Sequence, residues 1–157
     1  MHRALLMKGY ILVALILCLL VSEALIWLLL SVFVAGHGLL PSVDALSNAH
    51  TLQTYVFSLG FRVVPYVCGM AFSTYVQKHI PSRAFHSVTA TWLVGVTVFI
   101  GASYWMAQRT LFTGQHTSST YALDFIIAPF VAIPVVIACG VIGYPGYWLY
   151  QRISLTQ

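Results

Sequence analysis

Very few side chains in this chain of 157 residues could do chemistry, since Glu23, Asp44 and Asp124 are its three acids, against seven Lys and Arg. General acid–base work by carboxylates needs two acids, or an acid and a histidine, converging on one place. These three acids fall in separate stretches, each in a different setting. His37, Asp44, His50 and His116 lie in polar segments that could hold a metal or an acid–base pair if the segments met. None of their spacings matches a metal motif such as H-E-x-x-H, so they read as solvated loop residues. His79 and His86 flank a connecting loop near Lys78 and Arg83, a grouping suited to anionic lipid headgroups.

Cys18, Cys68 and Cys139 sit inside apolar runs with no C-x-x-C pair, and they read as small core residues rather than a redox couple. There is no nucleophile elbow, P-loop or dinucleotide fingerprint. The sequence therefore predicts a non-enzymatic protein with no cofactor and no metal. The basic residues are scattered singly and form no stripe, which argues against a nucleic-acid partner despite the net charge of +4.

The elements that carry these residues follow from composition. Hydrophobic residues make up 60% of the chain and charged ones 6%, whereas a soluble domain carries roughly 25% charged residues to keep its exterior wet. The exterior must face lipid. Four segments reach the length of about 20 apolar residues that a spanning helix needs: 10–35, 52–76, 87–108 and 121–150. The expected architecture is an all-α integral membrane protein, a single four-helix transmembrane bundle over residues 1–157. Ser22-Glu23-Ala24 also resembles a signal-peptidase site. The apolar run continues past it through Trp27 and Phe33, well beyond a signal core of 7–15 residues, so the first segment reads as an uncleaved span.

Orientation comes from the basic residues. Arg3, Lys8, Lys78, Arg83 and Arg152 share one side of a four-span chain, and Arg109 falls on the other with Asp44. The positive-inside rule then puts both termini and the 77–86 loop in the cytoplasm, with 36–51 and 109–120 as outer loops, as in a bacterial cytoplasmic (inner) membrane protein. Tyr and Trp residues near both boundaries fit this register.

Within the spans, Glu23 and Arg62 are the expensive residues, each costing roughly 2.5–3.5 kcal/mol if left alone at mid-helix. Counted from the outer ends of their helices, their depths differ by about 3 Å, within the reach of an arginine. A Glu23–Arg62 ion pair is predicted, with Asp124, roughly 10 Å or more nearer the outer surface, as the competing partner. Pro65 leaves the Phe61 carbonyl without its helical donor, a second acceptor for the guanidinium. Thr51, Tyr55, Ser58, Arg62, Pro65, Gly69 and Ser73 form one polar, small-residue face of the second span, and Thr97, Gly101, Tyr104 and Gln108 form a matching row on the third. These faces are expected to meet. Pro129 and Pro134 should kink the fourth span unless neighbours satisfy the carbonyls they free.

One acid and one base, with no second carboxylate for a relay, suit a structural lock better than a proton path. The expected role is helix–helix association with another membrane protein, as an accessory subunit or an inhibitor of the immunity type. The alternative is a small transporter or channel subunit working through Glu23 and Arg62.

Overall fold

A computed structural model describes residues 2–114 and 121–154. Among them every regular element is a helix: α1 (His2–Leu20), α2 (Glu23–Phe33), α3 (Leu39–Ala49), α4 (Leu52–Val76), α5 (Ser82–Thr113) and α6 (Tyr121–Ser154). α4, α5 and α6 are each long and apolar enough to cross a membrane, and α1 with α2 makes a fourth candidate if the bent pair counts as one span.

The segment 10–35 is thus not the single helix that its hydropathy predicts. It breaks at Val21-Ser22, and the helices on either side are bent by 55°. Ser22 has an extended backbone (φ −113°, ψ 155°), and its hydroxyl accepts the Leu25 N–H at 3.1 Å. An N-cap of this kind is worth roughly 0.5–2 kcal/mol. Glu23 follows in the first turn of α2, where a carboxylate is favoured by the helix dipole.

The segment 36–51, read from sequence as an outer loop, contains α3. Gly36 takes the left-handed conformation (φ 71°) that closes α2, with the His37 N–H bonded to the Ser31 carbonyl. Pro41 is tolerated because it lies in the first turn of α3, where no helical donor is lost. The third span, expected over 87–108, extends at both ends, from the turn after Pro81 to Gly114 at φ 68°.

α5 and α6 pack along much of their length, and α4 lies against both. α1 rests mainly on α4, while α2 leans on α5 and carries α3. Leu30, Trp92, Val96, Ile100, Tyr104, Ala132 and Val136 form the centre of the core. Close approach of α6 to α5 uses small residues, as lipid-embedded helices do: Gly143 faces the α5 backbone at Val88 and accepts a hydrogen bond from Ser87 Oγ at 2.9 Å. α6 is a continuous helix through Pro129, Pro134 and Pro145. The carbonyl freed by Pro129 belongs to Phe125, and Tyr104 Oη donates to it at 3.2 Å. That repair is the condition under which a proline-containing helix avoids an unsatisfied acceptor.

Candidate functional site

The break in the first span is where the polar side chains gather. Arg62 Nη1 lies 2.8 Å from Glu23 Oε2, and both side chains are almost wholly enclosed, at 0% and 4% exposed. The other carboxylate oxygen, Oε1, accepts from Ser58 Oγ at 2.6 Å. Ser58 sits one turn before Arg62 on α4, so a single helix face presents both donors to the acid. Arg62 Nη1 also donates to the Val21 carbonyl at 3.3 Å. Gln108, buried on α5, donates from Nε2 to the Glu23 carbonyl at 3.0 Å. The guanidinium carbon lies 4.9 Å from the centre of the Tyr55 ring, a cation–π contact, and Tyr55 Oη donates to the Leu19 carbonyl at 3.0 Å.

α4 and α5 therefore clasp the α1–α2 junction through its backbone as well as through Glu23. Leu19, Val21 and Glu23 each give a carbonyl to a side chain from a neighbouring helix. Because Gln108 lies only five residues before the end of α5, the cluster is about 8 Å short of that end, in the half of the bundle that carries α3. Three polar atoms in it lack a partner: Nε and Nη2 of Arg62, and Oε1 of Gln108.

Of the predicted site residues, the structure brings together Glu23, Arg62, Tyr55, Ser58 and Gln108. Asp124 is not part of the group; it stands exposed in the first turn of α6, where the helix N-terminus suits an acid. The Phe61 carbonyl is not the guanidinium's second acceptor, because the opened backbone at Val21 lies closer to hand. Gly101 abuts Val21, Tyr104 serves α6, and Thr97 bonds Tyr66 Oη at 3.1 Å. The predicted face of α4 meets α5 through residues outside the predicted row: Trp92 Nε1 donates to Ser73 Oγ at 2.7 Å, Thr89 Oγ1 is 3.3 Å from the same hydroxyl, and Gly69 lies under the Trp92 ring.

The polar residues toward the α3 end do not converge. His37 Nδ1 pairs with Ser31 Oγ at 3.1 Å, and Ser31 with Ser42 at 2.9 Å, tying α3 to α2. Asp44 is exposed on α3. His50 is packed at 6.1 Å from the Trp27 ring; burial pushes its imidazole below the usual histidine range, while the Glu23 carboxylate pulls the other way. Among the described residues no three His, Cys, Asp or Glu side chains could hold a metal ion together. His116 lies outside the described residues. At the opposite end, His86 Nδ1 and Tyr10 Oη are 2.7 Å apart.

Sequence reasoning passed over Tyr66 and Trp92, and weighed Ser22 only as part of a signal-peptidase site. Ser22-Glu23 carries a helix-start signal, a capping side chain followed by an acid, which the surrounding apolar run masks. The chain matches no protein-family model, no curated protein and no solved structure.

Proposed function

We propose that this is a four-span protein of a bacterial-type cytoplasmic membrane, with both termini inside, that acts by associating with another membrane protein as an accessory subunit or inhibitor. In this reading α1 and α2 form one broken span, and the Glu23–Arg62 pair locks it to α4. The observation that carries the association is a groove of about 360 Å³ between α1 and α4. Its walls include the small side chains of Ala14, Cys18 and Ala71, with Val67 and Met70 beside them. Small-residue recesses at hydrocarbon depth are where transmembrane helices approach one another closely, since packing rather than a hydrophobic drive holds them. The charged pair is enclosed, so the surface left for another molecule is apolar and helical.

Copurification from its native membrane in mild detergent should yield a stoichiometric second membrane protein. Ala71→Trp, which fills the groove, should abolish that stoichiometry, while Val98→Trp on the exposed face of α5 should leave it intact. Equal retention by both variants would remove the groove from the reading. For orientation, a thiol placed at Asn48 should react with an impermeant maleimide added outside intact cells. Reaction only after lysis would reverse the topology.

A second reading rests on the unpartnered Arg62 and Gln108 atoms, which could take up a small polar solute in a transporter or channel subunit. A self-associated protein that carries solute across liposomes, with no second subunit, would favour it.

A further inference from the structure

α3 has little room to be anywhere but at the end of the spans that hold it. Residues 34–38 connect it to α2, and only His50 and Thr51 separate it from α4. Connectors this short bind it to the outer ends of two helices, at about 3.3–3.6 Å of reach per residue. One side is committed to the protein. Ser42 is 1% exposed and bonds Ser31 of α2, and Leu46 is half-buried on the same side.

The remaining surface divides by chemistry. Leu39 (61% exposed), Leu40 (78%) and Val43 (45%) lie within an arc of about 100° on the helix. Asp44 and Asn48 occupy the next arc, away from the protein, and Ser47 falls within the apolar arc with its hydroxyl donated to the Asp44 carbonyl at 2.7 Å. Phe33 (76%) and Val34 (40%) at the end of α2 are also exposed, and they close the span that leads to this edge. Water would have to solvate all of these side chains at once, and nothing else in the described chain covers them.

We infer that α3 lies in the outer membrane–water boundary, with Leu39, Leu40 and Val43 set among the acyl chains and Asp44 and Asn48 in water. This rests on the membrane-spanning reading above. The occupant of the edge is lipid because the exposed Phe33 and Val34 lead from the end of α2 to the same apolar residues, and because the helix itself brings the polar arc that a boundary position requires. α3 has no Lys or Arg. Its seating therefore depends on apolar burial alone, and uncharged lipid is enough.

The test uses the full chain in phosphatidylcholine liposomes, with Cys18, Cys68 and Cys139 replaced by alanine and single nitroxide labels at Leu40→Cys, Val43→Cys, Asp44→Cys, Asn48→Cys and, as a membrane reference, Val98→Cys. Collisions with oxygen report lipid, and those with a water-soluble nickel chelate report water. The inference expects the oxygen-to-nickel ratio at 40 and 43 to approach that at 98 and to exceed that at 44 and 48 several-fold. A lipid-like 98 with water-like 40 and 43 overturns the placement of α3 and leaves the spans standing. Labels at 40 and 43 shielded from both reagents also overturn it, in favour of a protein against that edge. A water-like 98 defeats the membrane reading, and the inference with it. Circular dichroism of each labelled variant, unchanged from the parent, certifies that the helix is intact.

Discussion

Arg62→Met and Glu23→Gln each lower the folded fraction in detergent sharply, and the double variant recovers much of the loss. Removing one member of an enclosed ion pair costs about 3–5 kcal/mol, because the survivor stays buried without its counter-charge, whereas apolar replacement of both can be nearly neutral. Both side chains here are enclosed, so little solvent is available to rescue the remaining charge. Recovery should be incomplete. Methionine gives no donor to the Val21 carbonyl, although the amide oxygen that Glu23→Gln introduces could still accept from Ser58. Thermal unfolding of the four proteins closes a double-mutant cycle, and additive losses would show that the two residues are not coupled. A stable double variant that keeps its partner makes the pair a lock; a stable one that has lost solute transport would make it a working site.

Gly69→Ala should destabilise by about 1–3 kcal/mol, a large effect for one methyl group and characteristic of overpacking. A Cβ at this position would fall inside van der Waals contact with the six-membered ring of Trp92. The ring has little freedom to retreat, since Trp92 is 0% exposed and its Nε1–H is committed to Ser73. Trp92→Phe in the Gly69→Ala background should restore part of the stability by shortening the side chain over the new methyl. The same change in the native background should only destabilise, because it leaves a void and removes a donor from Ser73. Melting temperatures of the three variants decide this, and loss without compensation would mean that the contact is not what limits position 69.

What could be read in the sequence, and what could not, separates along physical lines. Glu23 and Arg62 could be matched by depth, because a charge in an apolar run demands a partner and helix rise converts position into depth. The face through Tyr55, Ser58, Gly69 and Ser73 followed from helical spacing alone. The break at Val21-Ser22 did not emerge, since hydropathy averages over a window far longer than two residues. Its local signal, Ser22 before Glu23, also fits a cleavage site. α3 escaped because Gly36, Gly38 and Pro41 punctuate its approach, and glycine and proline suggest loop unless their helix-end roles are weighed. The partners of Thr97 and Tyr104 depend on how α4 and α6 are rotated, which no single-helix periodicity contains.

Glu23 and Arg62 are separated by 39 positions in the chain. During synthesis into a membrane, the carboxylate therefore leaves the ribosome well before the guanidinium exists. A straight first helix would have to hold that charge within the bilayer through the interval. With the chain opened at Val21-Ser22, Glu23 stands instead at the head of a separate helix, its charge favoured there by the helix dipole before Arg62 is made. α4 then supplies Arg62, Ser58 and Tyr55 together, and α5 adds Gln108, so the donors that hold the junction come from two later segments. The order of the chain thus makes α4 the first segment that can neutralise Glu23, with α5 closing the junction after it.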